Sequence, residues 1–359
     1  MVNTVSKNFA VSQRIVSSMS ELSRRSLLGS FGYLAASRAL SAQAGGPPIR
    51  VRALNHMTLA VADPARSQQF YQGLFGLPVQ ARQGTTTVLR IGSGPQFVAL
   101  TKVGANAKPG IHHFCMTADN FDSERILKIL AEHGVKKTGT AATEPLRAWV
   151  RVRREDTGGA KEGTPEMYFT DPEGIVVQLQ DTTYCGGAGR LGSVCLAKPV
   201  PPPRKGLLAV QALSHFTITV SNPQRSRDFY QALFGLPIQA YQGPAPALAV
   251  GPGPQFLMFA GGPAAKPAVG HGCFTMDGFD PDKVLKTLAE IGVTPRGTAR
   301  GPVGPLKSYV SLRMEDRGGA RDGTPELYFT DPDGILMQLQ DTSYCGGGGY
   351  FGEACPALA

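Results

Sequence analysis

The sequence predicts an α+β chain made of two tandem copies of one domain, and three observations carry that prediction. Long stretches recur: "ALNHMTLAVADPARSQQFYQGLFGLPVQ" from Ala53 returns as "ALSHFTITVSNPQRSRDFYQALFGLPIQ" from Ala212. Likewise "YFTDPEGIVVQLQDTTYCGG" from Tyr168 returns from Tyr328 with sixteen of twenty positions identical. Within each copy, strand alternation gives way twice to a helical stripe, so each copy reads as two βαβββ units. Between the copies lies "LAKPVPPPRKG", residues 196–206, a proline-rich linker expected to be extended and semi-rigid. The expected organisation is therefore a leader at 1–44, a first domain at 50–195, the linker, and a second domain at 207–355.

At 359 residues the chain is long enough for two domains, each able to bury its own core. Apolar content of 42% and charged content of 18% belong to a globular protein. The net charge of +9 is not a nucleic-acid footprint: residues 1–44 hold +4 of it, and the remaining +5 forms no Lys/Arg run or basic helix stripe.

The leader "SRRSLLGSFGYLAASRALSAQA" places Arg24-Arg25 before a short Gly- and Ala-diluted apolar stretch and ends in the cleavage pattern Ala42-Gln43-Ala44. It resembles a twin-arginine signal, which implies use of the twin-arginine export machinery, cleavage after about Ala44 and a periplasmic location. The 12 residues from Ser26 to Ser37 are too few to span a bilayer, so no stable membrane span is expected.

In the first copy, "LNHMTLAV" alternates as a strand. Asp63-Pro64 then supplies an N-cap and N1 proline, and Phe70, Tyr71, Leu74 and Phe75 form an apolar stripe ended by Gly76. Short strands follow around Val88 and Phe97. The second unit opens with "IHHFCMTA", continues as a helix from about Asp122 to His133, and closes with strands "AWVRVR", "EMYFT" and "IVVQLQ". Parity assigns the faces. Met57, Leu59 and Val61 form an apolar side, with His56 and Thr58 opposite. Phe114 and Met116 oppose His113, Cys115 and Thr117. Glu166 and Tyr168 share a face, as do Gln178 and Gln180, and Arg153 falls on a polar side. The second copy repeats this with His215, His271, Cys273, Glu326, Tyr328, Gln338 and Arg313. So many polar groups per copy suit a wet cavity that takes a small molecule. Arg153 and Arg313 are candidates to hold an anionic substrate.

The cysteines repeat as well. Cys185 and Cys195, like Cys345 and Cys355, close Gly-rich loops, and in an oxidising compartment each pair is expected to form a disulfide. Cys115 and Cys273 are expected to be small buried side chains.

The βαβββ doublet, the His of the first strand, the His of the fifth, and the Tyr-x-x-Asp-Pro-x-Gly pattern before the last strand together resemble the vicinal oxygen chelate superfamily. This group contains glyoxalase I, extradiol dioxygenases and metal-free bleomycin-resistance proteins. The resemblance covers about 53–183 and 212–343. It implies two cup-shaped mixed sheets with helices outside, and a divalent metal (Fe, Mn, Zn or Ni) on the cup floor. By position the ligands are His56, His113 and Gln178 in one copy, and His215, His271 and Gln338 in the other. The usual Glu is replaced by Gln, which brings no negative charge; Glu166 and Glu326, on neighbouring strands facing the same way, are the carboxylates able to compensate and are candidate catalytic residues. Tyr168 and Tyr328 stand where dioxygenases carry a catalytic Tyr. "GAKEGTPEMY" lacks the His those enzymes place before it, which argues against ring cleavage. A metal-dependent lyase, isomerase or dioxygenase is the leading expectation, and a metal-free binding protein is the alternative.

Overall fold

The structure is a computed structural model describing residues 46–297 and 303–356. The twin-arginine-like leader lies outside the described residues. The first copy comprises β1 (Val51–Val61), α1 (Pro64–Phe75), β2 (Val79–Gln83), β3 (Thr86–Arg90), β4 (Phe97–Lys102), β5 (Gly110–Ala118), α2 (Ser123–Glu132), β6 (Lys136–Lys137), β7 (Arg147–Arg153), β8 (Thr164–Thr170) and β9 (Val176–Asp181). The second comprises β10 (Val210–Val220), α3 (Pro223–Phe234), β11 (Ile238–Gln242), β12 (Ala245–Ala249), β13 (Phe256–Gly261), β14 (Ala268–Met276), α4 (Pro281–Glu290), β15 (Thr294–Pro295), β16 (Lys307–Arg313), β17 (Thr324–Thr330) and β18 (Leu336–Asp341). Each copy is two βαβββ units, with a two-residue strand added after the second helix.

Local chemistry sets the helix ends. Asp63 Oδ1 accepts from Ala65 N at 2.9 Å and Arg66 N at 3.2 Å, Pro64 fills the first turn, and Gly76 terminates α1 at φ 66°. Asp122 caps α2 through Arg125 N at 2.7 Å. In the sheet, β4 lies parallel to β1, β1 antiparallel to β5, and β5 parallel to β9, with β3, β2 and β8, β7 extending the two sides. The second copy repeats the pattern around β10 and β14. Two units thus meet along β1 and β5, and the His-bearing faces of these central strands look into one concavity.

On the opposite face Met57, Leu59 and Val61 are fully buried. They belong to a core that runs through both copies, unlike the separate cores expected from length. The reason is that α1 and α3 pack against the partner copy. Phe75 lies 5.3 Å from Phe274 and 6.0 Å from Phe329, Phe234 lies 6.2 Å from Phe169, and Phe114 stacks on Phe216 at 5.1 Å. The described residues of both copies accordingly form one compact unit.

Paired polar exchanges complete the seam. Gln96 donates to Leu54 O (2.7 Å) and accepts from Leu213 N (2.9 Å), while Gln255 donates to Leu213 O (2.7 Å) and accepts from Leu54 N (2.9 Å). Tyr71 donates to Asp331 at 3.2 Å and Tyr230 to Asp171 at 3.3 Å. The Asp-Pro-x-Gly turns therefore receive the other copy's helix. Gly92 and Gly251 have positive φ, and a Cβ there would lie 2.0 Å from Gln211 O and 1.8 Å from Arg52 O, so the seam requires glycine at both. The linker docks too, with Val200 and Val79 exchanging backbone hydrogen bonds at 2.8 and 2.9 Å.

Candidate functional site

In each copy the three polar side chains assigned to the cup floor converge. β1 supplies His56, β5 supplies His113 and β9 supplies Gln178. Gln178 Oε1 lies 3.1 Å from His56 Nε2 and 3.0 Å from His113 Nε2. In the second copy Gln338 Oε1 is 3.1 Å from His215 Nε2, which is 3.3 Å from His271 Nε2. The parity of three strands brings these residues together, because β5 pairs with both β1 and β9.

The first histidine is held rigidly. Its ring stacks on Phe97 at 4.2 Å, and its Nδ1 is 2.7 Å from Asn55 Oδ1. Asn55 Nδ2 donates to Tyr184 O at 2.9 Å, so Asn55 Oδ1 is an acceptor and His56 Nδ1 carries the proton. Nε2 then presents a lone pair to Gln178 Oε1, itself a lone-pair atom. The Gln178 amide nitrogen, like that of Gln338, is buried without a hydrogen-bond partner. Two lone pairs facing each other at this distance repel, and a cation between them relieves the repulsion; the donor set fits a hard or borderline divalent ion. Burial supports this protonation state. It pushes His56 down to about 3 and His271 to about 4, and holds His113 and His215 well below the usual imidazole range.

The carboxylates do not join the trio. Glu166 is fully buried and turned to Arg153 Nε (3.0 Å), Arg151 Nε (2.6 Å) and the Tyr184 hydroxyl (2.8 Å). Glu326 is held by Arg313 Nε (2.8 Å) and by the hydroxyls of Tyr344 (3.1 Å) and Tyr328 (3.2 Å). Among the described residues no three His, Cys, Asp or Glu side chains converge as a metal-holding group. The expectation that Glu166 and Glu326 compensate for the missing ligand charge is corrected: their oxygens neutralise buried guanidinium groups instead.

Arg153 and Arg313 are corrected in the same way. Each is buried, and beyond its carboxylate each donates to two backbone carbonyls, Gly158 and Gly187 or Gly318 and Gly347. They staple the Cys-Gly-Gly loop to the sheet, and every guanidinium nitrogen of each already donates within the protein. That loop is closed by disulfides Cys185–Cys195 (2.07 Å) and Cys345–Cys355 (2.02 Å). It serves the site indirectly: Tyr184, next to Cys185, holds Asn55, and Asn55 orients His56. Cys115 and Cys273 are free and buried.

A cavity of about 400 Å³ opens over the first trio, and its wall includes Tyr168, Thr58, His112 and Arg151. Tyr168 stacks on Trp149 at 5.5 Å, and the Arg151 guanidinium lies over its ring, also 5.5 Å from the centre. Burial, with the nearby Glu166 charge, raises its hydroxyl well above the usual phenol range. Sequence reasoning missed Arg151 and His112. Arg151 has the same parity as Arg153 and was the available signal; His112 stands next to His113, its Nδ1 2.8 Å from His113 Nδ1.

The sequence profile of the "Glyoxalase/Bleomycin resistance protein/Dioxygenase superfamily" matches residues 53–179 and 212–339. No curated protein sequence matches the chain. Among solved structures, the Mn(II)-bound glyoxalase from Novosphingobium aromaticivorans is similar at 16% identity and TM-score 0.53, over 81% of this chain and 82% of that one. Catechol 2,3-dioxygenase is similar at 16% identity and TM-score 0.54, over 86% and 90%. Homoprotocatechuate 2,3-dioxygenase from Arthrobacter globiformis is similar at 17% identity and TM-score 0.54, over 83% and 82%. At these identities the likeness is one of fold.

Proposed function

Because the chain belongs to the Glyoxalase/Bleomycin resistance protein/Dioxygenase superfamily, we propose that it is an exported, divalent-metal-dependent enzyme acting on a small molecule with neighbouring oxygens. The reaction is of the lyase, isomerase or dioxygenase kind. The observation that carries this reading is the convergence of His56 Nε2 and His113 Nε2 on Gln178 Oε1, at 3.1 and 3.0 Å, with the His56 proton fixed on the far nitrogen by Asn55. His56, His113 and Gln178 would hold the ion, as would His215, His271 and Gln338. When bound, the ion would polarise substrate oxygens as a Lewis acid, more strongly for lack of an anionic ligand. Asn55 and Phe97 keep the His56 ring in place, and Tyr168 presents a phenol kept protonated by burial. The two disulfides and the Arg24-Arg25 leader support export.

A second reading, a metal-free binding protein, is favoured by one observation: the third donor in both cups is a neutral amide, and among the described residues no three His, Cys, Asp or Glu side chains converge as a metal-holding group. Metal analysis of protein exported in its host separates the two. The enzyme reading expects stoichiometric metal that falls by half in His56→Ala and by half in His215→Ala. Metal-free protein at micromolar supply, with ligand binding intact, would overturn it.

A further inference from the structure

The two cups share their floor but not their walls. In the first, Glu166 is shared by two guanidinium groups, the buried Arg153 and Arg151, whose side chain is 55% exposed. In the second, Ser311 pairs with Glu326 in the register that Arg151 holds with Glu166, so Glu326 serves Arg313 alone. Arg151 therefore has no guanidinium counterpart at its register position in the second copy, where Arg296 instead lies over the Tyr309 ring, 4.7 Å from its centre. The surrounding wall adds to Arg151: Lys102 and Lys108 line the first cavity, and no Asp or Glu does. Lys102 has Gly261 as its counterpart in the register of β4 and β13, whereas Lys108 recurs as Lys266. His112, beside the floor, is replaced by Gly270.

Arg151 also displaces a hydrogen bond. Tyr328 donates to Glu326 Oε2 at 3.2 Å, while in the first copy Arg151 Nε takes Glu166 Oε2 at 2.6 Å and lies over the Tyr168 ring. A cavity with a cation-rich wall, no carboxylate and a partly neutralised guanidinium selects for negative charge.

We infer that the first cup recognises a carboxylate-bearing small molecule through Arg151, supported by Lys102 and Lys108, and that the second cup does not. This rests on the reading that the first cup is a ligand site, but not on the presence of metal or on turnover.

The chain supplies its own reporter. Trp149 is the only tryptophan in the sequence and stacks on Tyr168 in the first cup; Tyr309 takes its place beside Tyr328. Titrating the full protein with succinate and with the uncharged succinamide, at fixed ionic strength, is expected to change Trp149 fluorescence saturably with succinate, at an affinity at least about tenfold above that for the amide. Arg151→Ser copies the residue the second copy already tolerates, and it is expected to abolish that preference while the unfolding midpoint stays within a few degrees. The double variant Trp149→Tyr/Tyr309→Trp moves the reporter to the second cup and is expected to show no succinate response. Equal affinity for the two probes, no response to either at tens of millimolar, or a preference that survives Arg151→Ser overturns the inference. Metal analysis of the same samples keeps the two ideas apart: metal-free protein that still prefers succinate removes the enzyme reading alone.

Discussion

Two cups stand in one molecule with the same floor, His-His-Gln, and different walls. Where the copies agree, the residues hold structure: Arg153 and Arg313 tie a glycine loop to a carboxylate, and Asp171 and Asp331 receive the other copy's tyrosine. Where they disagree, at Arg151 and Ser311, Lys102 and Gly261, His112 and Gly270, the residues face the first cavity or line up with those that do. Outside the shared floor, repetition marks what both copies need to fold, and divergence gathers around the first cavity.

The largest test of that contrast attacks what is shared. Phe216→Ala removes a fully buried ring stacked on Phe114 of the other copy. It is expected to cost roughly 3–5 kcal/mol in denaturant unfolding and to weaken both copies in one transition. Two separate transitions, with only the second copy weakened, would break the idea of a common core.

A smaller effect is expected at the floor. His56 is oriented by Asn55, whereas His215 has only the Ser214 hydroxyl, 3.1 Å from its Nδ1 and able to donate or accept. Asn55→Ser makes the first cup like the second, and is expected to lower its metal affinity by roughly 10- to 100-fold with little change in stability. Competition titration against a chromophoric chelator measures this, and an unchanged affinity would show that the ring needs no such partner.

The smallest expected effect lies at the seam. Burial raises the carboxyls of Asp171 and Asp331 to about 6, against the pull of their backbone hydrogen bonds. A carboxyl raised on folding stabilises fully below its unfolded value near 4, and that contribution is lost as pH climbs through about 6. Asp171→Asn is therefore expected to remove roughly 1–3 kcal/mol of the stability that the parent loses between pH 4 and 7. Asp331→Asn is expected to do the same, since both copies bury this group alike. Unequal slopes in the two variants would reveal an asymmetry at the seam.

Much of the scaffold was legible because strand parity and helix capping are local. Asp63, Gly76 and Asp122 mark helix ends in the sequence and in the fold, and alternation alone put His56, His113 and Gln178 on cavity-facing sides. Alternation could not choose between Arg151 and Arg153, two residues apart on the same face. Arg153 drew attention because it recurs as Arg313, yet recurrence reflected its buried pairing with Glu166. Burial depth along a strand depends on which neighbours cover it, here the disulfide-closed loop, and no local pattern encodes that. Likewise the turn at Asp171 was read as a family mark, while its tyrosine partner comes from 59 residues away in the other copy.

The crossed glutamines at the seam, Gln96 and Gln255, would suit a symmetric dimer, each reaching the chain that the other leaves. Here a docked linker makes the same exchange within one chain, so the association needs no minimum protein concentration and its partners meet at a fixed effective molarity. A true dimer would have to change both cups at once with every substitution. The tether releases that constraint, so one register position holds Arg151 in one cup and Ser311 in the other.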